Sequence, residues 1–191
     1  MSTRESGFTL IEAVVVSAVA MITIGLAAPA LTGAMQHYQF NTDVQQLAST
    51  IRNARYKAVA SNATMRVRLN CPSQGQMRVV QVTGNAAIDD AANRCDTAVY
   101  PYPGTTTATA GDGPVVLMGT SIDYPQNVAS IQISNTGRMV PLTACPNCVA
   151  GAPPFTVSVE DGRNSLQRNI TVSATGSLTV EDFAHALEGQ H

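Results

Sequence analysis

Charged residues are scarce in this sequence of 191 residues, where Asp, Glu, Lys and Arg together make up 13%. Much of the deficit falls near the start, since none of these four residue types occurs from Ala13 to Thr42. The formal net charge is −2, so the composition gives no global electrostatic reason for binding a polyanion. Trp is absent, while Thr, Ser, Asn, Gly and Pro become more frequent later in the chain, as in β-rich extracytoplasmic domains.

Sequence motifs of common enzymes are absent as well. The chain has no Gly-x-Ser-x-Gly motif and no phosphate-binding loop. Its adjacent acidic pairs, Asp89-Asp90 and Glu181-Asp182, are typical of solvated loops, and none of its three histidines is close in sequence to a cysteine. We therefore predict that the chain is not an enzyme and that it holds no cofactor and no metal.

The most informative segment is Gly7-Phe8-Thr9-Leu10-Ile11-Glu12, which places one carboxylate at the edge of the long uncharged stretch. It follows a short polar leader, residues 1–7, that contains Arg4. An ionised Glu at the edge of a helix that spans a bilayer is costly and needs a cation. If the chain is cut after Gly7, the new α-amino group of Phe8 supplies that cation, on the same subunit or on a neighbour, where the pair would set the axial register.

This arrangement resembles the class III prepilin signal of type IV pilins and type II secretion pseudopilins. The resemblance implies that a membrane aspartyl prepilin peptidase cuts between Gly7 and Phe8 and then N-methylates Phe8. An ordinary secretory signal is the alternative, because Ala27-Ala28-Pro29-Ala30 offers the small residues of a cleavage site. We favour the prepilin signal, since a plain secretory signal has no use for Glu12.

Residues 8–35 are predicted to form a transmembrane helix that later becomes the core of a filament. The 21 residues from Phe8 to Ala28, broken only by Glu12, approach the length of about 20 residues that crosses a bilayer. Pro29 removes one backbone donor, so we expect a kink or local melting there rather than the end of the helix. A proline at this position is also common in pilins of this type.

Residues 36–62 are predicted to continue the helix in amphipathic form. Apolar residues recur at alternating spacings of three and four, at Val44, Leu47, Ile51, Ala54 and Ala58. This stripe needs a partner surface, and the simplest one is a sheet of the same chain. Ser61-Asn62 is the expected end of the helix, because Asn tolerates the left-handed conformation of a helix cap.

Residues 63–191 are predicted to form a periplasmic β-rich domain, so the fold class is α+β, with the long helix packed on an antiparallel meander. The first strand alternates Met65, Val67 and Leu69 with Arg66 and Arg68. Five further runs have strand character, at Gln76 to Val82, Val128 to Ser134, Phe155 to Val159, Arg168 to Ser173 and Ser177 to Val180. Residues 84–114 are predicted to be a long, irregular surface loop.

The junction from helix to sheet resembles that of the GspH/FimT family of minor pseudopilins and minor pilins. The residues that carry the resemblance are Leu47 to Leu69, with Ala54-Arg55, Ala58 and Asn62, and the C-terminal layout from Ile131 to Val180. It implies a structural subunit that is held in the inner membrane by one helix, with its C-terminal domain in the periplasm. It also implies assembly near the tip of a type IV pilus or a type II secretion pseudopilus. The implied partners are the prepilin peptidase and other major and minor pilins or pseudopilins.

The four cysteines indicate disulfides, because the domain is expected outside the cytoplasm. Of the three pairings that four cysteines allow, we favour Cys71–Cys95 with Cys145–Cys148, which closes one moderate loop and one tight loop. A zinc site and a redox centre are the alternatives. Cys145-Pro146-Asn147-Cys148 has the spacing of a redox motif but does not sit at a helix start, and the other two cysteines are isolated.

DNA is the alternative partner. Some FimT-type minor pilins are implicated in DNA uptake through a Gly-Arg-x-Arg string, and the matching Gly176-Ser177-Leu178-Thr179 has the glycine but neither arginine. Arg66 and Arg68, on one strand face, remain as candidate DNA contacts, but we favour solubilising arginines on the exposed face of a sheet. A DNA-binding competence minor pilin is therefore the less favoured alternative function.

Overall fold

The computed structural model describes residues 9–106, 109–119, 122–123, 130–140, 153–162 and 166–181, with the backbone only for residues 26–30 and 122–123. The chain divides into two compact units, Met1–Gln39 and Phe40–His191. The predicted leader, the cleavage site Gly7-Phe8 and the predicted Cys145–Cys148 disulfide lie outside the described residues.

One long helix, α1, runs over Leu10–Ala60. As predicted, α1 does not end at Pro29 but continues through it to Ala60. In the part of the chain that the structure describes, no helix is both long and apolar enough to cross a membrane.

The end of α1 confirms the predicted cap. Asn62 has a positive φ of 49°, in the left-handed region. Its N–H donates to the carbonyl of Val59 at 3.3 Å, and the N–H of Ala63 donates to the carbonyl of Ala58 at 3.1 Å. These two bonds form a Schellman motif, which satisfies carbonyls at the helix end and turns the chain towards the first strand.

The strands form two antiparallel sheets. The first sheet has the order β3-β2-β1-β5-β6, and the second has the order β4-β7-β8-β9. The elements after α1 are β1 (Met65–Leu69), β2 (Gln76–Gln81), α2 (Ala86–Asp89), β3 (Val115–Leu117), β4 (Ile122–Asp123), β5 (Ser130–Ile133), β6 (Met139–Val140), β7 (Phe155–Asp161), β8 (Leu166–Val172) and β9 (Leu178–Val180). All five predicted strand runs after β1 therefore contain a strand, whereas β3, β4 and β6 were not predicted.

The prediction of a simple meander is wrong for the first sheet. β1 pairs with β2 on one side and with β5 on the other, with Val67 opposite both Val79 and Ile131. β3 still lies beside β2, and the chain returns to the second side of β1 only as β5, after it has contributed β4 to the second sheet.

The core lies between the second half of α1 and the inner faces of the strands. All five residues of the predicted apolar stripe are buried, from Val44 to Ala58. They pack in one cluster with the alternating residues Met65, Val67 and Leu69 of β1 and with inward residues of β5, β7 and β8. The sheet of the same chain is thus the partner surface that the stripe required, and each large apolar side chain buried there contributes about 1.5–3 kcal/mol.

Candidate assembly surfaces

The first turn of α1 carries a capping arrangement that the sequence analysis did not identify. Thr9 precedes the helix, and its carbonyl accepts from the N–H groups of Glu12 and Ala13 at 3.1 and 3.2 Å. The N–H of Glu12 also lies 3.4 Å from Oγ1 of Thr9. Thr9 and Glu12 therefore hold the N-cap and N3 positions of a Thr-x-x-Glu capping box, and the carboxylate of Glu12 lies at the positive end of the helix dipole.

The first half of α1 exposes its apolar side chains. More than half of the surface of each of these residues is exposed: Leu10, Ile11, Val14, Val15, Val16, Val19, Met21, Ile22 and Ile24. Ser17 donates to the carbonyls of Ala13 and Val14, and Thr23 donates to those of Val19 and Ala20, at 2.9–3.1 Å. Because both hydroxyls are satisfied within the helix, this surface can be buried against another apolar surface without leaving them unpaired.

The expectation that Arg66 is a solubilising residue on an exposed face is wrong. Its residue surface is only 7% exposed. Its Nη1 donates to Oδ1 of Asp90 at 2.7 Å and to the carbonyl of Asp89 at 3.0 Å, while Nε and Nη2 donate to Oε1 of Gln132. The physical reason is that a segment of the chain covers this face of β1, so a guanidinium there must find partners within the protein.

The covering segment is residues 84–114, which were predicted to be a long, irregular surface loop. Its described residues are irregular apart from α2, as predicted, but several of them are buried rather than on the surface. The segment contains α2 and several buried polar residues. Asp89 is one of them, and its carboxylate accepts from the N–H groups of Thr83 and Gly84 at 2.8 and 2.9 Å, so it is not a solvated loop residue. Arginines of the first sheet donate to backbone carbonyls of the segment. The segment therefore forms a second layer over the outer face of that sheet.

Two further arginines of the sheet bind that layer. Arg68 donates from Nη1 to the carbonyl of Ala91 at 3.0 Å. Arg78 is fully buried and donates from Nε and Nη1 to the carbonyls of Gly113 and Cys95 at 2.9 and 3.3 Å. Burial lowers the pKa of both guanidinium groups below the ordinary arginine value, because removal from water disfavours the charged form.

The first predicted disulfide is present. Cys71 and Cys95 are bonded, with their Cα atoms 5.6 Å apart and a separation of 24 positions in the sequence. The bond ties the covering segment to the turn between β1 and β2, and neither cysteine can therefore be a zinc ligand. Beside it, the guanidinium of Arg94 lies 4.5 Å from the ring centroid of Tyr100, a cation–π contact that holds the middle of the segment.

A groove of about 520 Å³ lies where the exposed side of α1 meets the turn between β8 and β9. It is lined by Arg52, Arg55, Tyr56, Val59, Gly176, Ser177 and Leu178. Nη1 of Arg55 donates to the carbonyl of Gly176 at 3.4 Å. We refer to these seven residues as the α1–β9 groove.

Two glycine turns hold Arg55 in the α1–β9 groove. Gly137 and Gly176 have φ of 76° and 80°, and a Cβ at either position would lie 3.1 Å from Nε of Arg55. Both positions therefore require glycine for two reasons, the backbone conformation and the space that Arg55 occupies. This groove was not predicted from the sequence, although Arg52, Arg55 and Tyr56 next to the apolar stripe were a signal for it.

The structure does not bring all predicted site residues together. Glu12 lies in the first turn of α1, and Pro29 is described only through its backbone. Arg66 and Arg68 lie on one strand, as predicted, but they bind the covering segment. The groove next to Gly176 is lined by residues of α1 and by Gly176, Ser177 and Leu178 of the C-terminal string, and its arginines come from α1.

One family model and several solved structures are similar to this chain. A family model described as type II transport protein GspH matches residues 43–176, more than half of the chain. No curated protein matches the chain. The chain is similar to the crystal structure of the type IV minor pilin FimU of Pseudomonas aeruginosa PAO1, with 14% identity and a TM-score of 0.45, covering 74% of this chain and 92% of that one. It is also similar to the minor pseudopilin EpsH from the type 2 secretion system of Vibrio cholerae, with 13% identity and a TM-score of 0.42, covering 75% of this chain and 96% of that one.

Proposed function

Because the chain belongs to the family of the type II transport protein GspH, we propose that it works as a minor pilin or pseudopilin. In this proposal, the peptidase removes residues 1–7 and methylates Phe8, and the subunit is held in the inner membrane through α1. It is then assembled into a type IV pilus or a type II secretion pseudopilus, where it primes or caps the filament. Its partners are other pilins or pseudopilins.

The observation that carries the proposal is the difference between the two halves of α1. Side chains from Val44 to Ala58 are buried in the core of the same chain, whereas those from Leu10 to Ile24 are exposed and apolar. Exposed apolar surface of this extent requires a lipid or protein partner. A helix that moves from a bilayer into a filament meets that requirement in both places, and it needs satisfied hydroxyls of the kind found at Ser17 and Thr23.

Glu12 has two separable roles in this proposal. Its carboxylate would pair with the α-amino group of Phe8 on a neighbouring subunit and so set the register of the helices. Its position in the Thr9-x-x-Glu12 capping box would also stabilise the first turn of its own helix. Both roles predict that removal of the side chain impairs assembly, so a substitution by alanine alone does not separate them.

The test is a set of variants of the full-length chain, measured by incorporation into filaments relative to the amount in the membrane. Glu12→Gln removes the charge but keeps a residue that suits N3 of a capping box. We expect it to lose incorporation as completely as Glu12→Ala. The matched control is Thr9→Ala, which weakens the cap by about 1 kcal/mol but keeps the carboxylate, and which should assemble nearly normally.

Normal assembly of Glu12→Gln together with failure of Thr9→Ala would show that the cap, and not the charge, is what assembly requires. Normal assembly of all three variants would count against the proposed role of Glu12. Normal secretion and pilus formation in the absence of the chain would count against the function itself.

A DNA-binding competence minor pilin remains the alternative. It would use a cationic surface, and the two arginines suggested for it, Arg66 and Arg68, are bound to the covering segment. We therefore favour the assembly function. Binding of the full-length protein to duplex DNA at physiological salt, with a Kd in the micromolar range or tighter, would favour the alternative.

A further inference from the structure

The α1–β9 groove is not used by the proposed packing of the first half of α1. Tyr56 is 75% exposed and Val59 is 53% exposed, although both line a concave surface. The groove also holds the guanidinium groups of Arg52 and Arg55, and none of the described residues that line it is acidic. Tyr and Arg are the residue types that dominate binding energy at protein interfaces, so this groove has the composition of a docking site for an acidic surface.

The opposite end of the second sheet carries the complementary charge. Leu178 pairs with Val172 at the groove end, whereas Glu160 pairs with Gln167 at the other end. Glu160 is exposed, and so is Glu181, which follows β9 and accepts from Nδ2 of Asn169 at 3.0 Å. We call Glu160 and Glu181 the acidic end.

Cations and a further carboxylate also occur near the acidic end. Arg168 lies on β8 opposite Val159, and Asp161 at the end of β7 is buried. Arg163 lies outside the described residues. Among the residues in and next to β7, β8 and β9 whose side chains the structure describes, the exposed acidic ones are Glu160 and Glu181, and these are the groups available to another molecule.

The two ends cannot meet within one molecule. Val172 and Gln167, the partner of Glu160, are five positions apart along β8, which corresponds to roughly 17 Å, and Glu181 lies three positions after Leu178, or roughly 10 Å along a strand. Both ends belong to one hydrogen-bonded sheet, so the acidic end cannot fold back into the groove. A contact between them needs two molecules related head to tail, an arrangement that extends rather than closes.

We propose that the α1–β9 groove binds the acidic end of a second copy of this chain. Glu160 and Glu181 of one copy pair with Arg52 and Arg55 of the next, while Tyr56 and Val59 are covered. Arg55 is already held by the turns at Gly137 and Gly176, so little side-chain entropy is lost when the second copy binds. This inference goes beyond the proposed function, because the self-contact does not depend on which filament the chain enters.

The first experiment maps what touches the groove. A photo-crosslinking amino acid replaces Tyr56 in the full-length chain, expressed in membranes, and the products are resolved by mass. We expect a covalent dimer whose crosslinked peptide contains Glu160 or Glu181. A crosslink to a different protein or to nucleic acid, without the self-dimer, would overturn the proposal.

The second experiment reverses the charges. In the crosslinking chain, Arg52→Glu should lower the dimer yield about tenfold, because like charges then face each other. Combining it with Glu160→Arg alone should restore the yield, because the reversed charges at positions 52 and 160 then face each other while Arg55 still faces Glu181. The matched control, Lys57→Glu, reverses a charge one turn further along α1 outside the groove and should leave the dimer yield unchanged.

Retention of the Cys71–Cys95 bond, read from mobility on non-reducing gels, shows that each variant is folded. If the Arg52→Glu chain is degraded, the chain with only Glu160→Arg and Glu181→Arg takes its place, and its dimer yield should fall as much. Unchanged dimer in either reversed chain, or loss of dimer without rescue in the combined one, would overturn the pairing. If the crosslinking and charge-reversal experiments fail while the chain is still incorporated normally into filaments, only the self-contact is contradicted and the assembly function stands.

Discussion

Arg94 and Asp112 form an ion pair in which neither side chain is exposed to solvent. Nη2 of Arg94 also donates to the carbonyl of Gln81 at 3.1 Å, and the carboxylate of Asp112 accepts from the N–H of Gln81 at 2.8 Å. The pair therefore fastens two parts of the covering segment, one at Arg94 and one at Asp112, to Gln81 at the end of β2. Its charges are removed from water, so each one depends on the other.

Replacing one member of this pair should destabilise the domain strongly. Arg94→Met leaves the carboxylate of Asp112 buried without its cation, and we expect the free energy of unfolding to fall by about 3–5 kcal/mol. The measurement is denaturant unfolding of the full-length chain in detergent, compared with the unsubstituted chain under the same conditions.

The double variant Arg94→Met with Asp112→Leu is the control for that prediction. It removes both charges, so it should be less destabilised than Arg94→Met alone, although the N–H of Gln81 loses its acceptor. A double variant as unstable as the sum of the two single variants would show that the two residues act independently.

The helix and its end were predictable from the sequence because both depend on local rules. The spacing of Val44, Leu47 and Ile51 defines one face of a helix, and an apolar stripe of that length has to be covered by another apolar surface. The cap at Asn62 was predictable for the same reason, since few residues accept a positive φ. The five strand runs followed from alternation and from turn residues.

The covering segment was not predictable, because strand alternation shows which residues share a face but not what covers that face. Arg66 and Arg78 look the same in sequence whether water or a protein layer lies over them. The contacts that decide the matter join β1 and β2 to Ala91, Cys95 and Gly113, and such long-range partners leave no local pattern. The α1–β9 groove was missed for a related reason, because it joins α1 to residues more than one hundred positions later.

The second predicted disulfide, Cys145–Cys148, lies outside the described residues and can be tested chemically. Chain unfolded without reductant should contain no titratable thiol if Cys145 is bonded to Cys148, since Cys71 and Cys95 are already paired. Two free thiols per chain would contradict the predicted second disulfide.

Removal of the described disulfide should weaken the domain. The double variant Cys71→Ser with Cys95→Ser loses the constraint on a loop of this length, which corresponds to about 3 kcal/mol by loop entropy. It should also make the covering segment the first site of proteolysis. The matched control is the double variant Cys145→Ser with Cys148→Ser. The predicted Cys145–Cys148 bond closes only a tight loop, so its removal should lower the free energy of unfolding by less.

Asp43 gives a prediction of pH dependence. Burial raises the pKa of its carboxyl above the ordinary value of 3.8, the hydrogen bond from the N–H of Gly119 lowers it, and the charge of Asp161 raises it further. Because the net shift is upward, the folded state holds this proton more tightly than the unfolded state. This group therefore makes the free energy of unfolding decrease as pH rises through the range just above 3.8.

Asp43→Asn removes that titration, so the slope of the free energy of unfolding against pH should become more positive in the same range. The measurement is denaturant unfolding of both chains at a series of pH values at constant salt. A variant whose slope is unchanged or more negative would show that Asp43 is not the group responsible.

The last prediction concerns the residue before the proposed cut. A prepilin peptidase that requires a small residue there should not process Gly7→Leu, so the chain should keep residues 1–7 and stay out of filaments. The measurement is the intact mass and N-terminal peptide of the membrane and filament fractions, which in the unsubstituted chain should begin at N-methylated Phe8. The control is Gly7→Ala, which keeps a small residue and should be processed, at least in part. Mature chain that begins at Ala30, or filaments that contain the chain with Met1, would contradict the prepilin signal and favour an ordinary secretory signal or an unprocessed anchor.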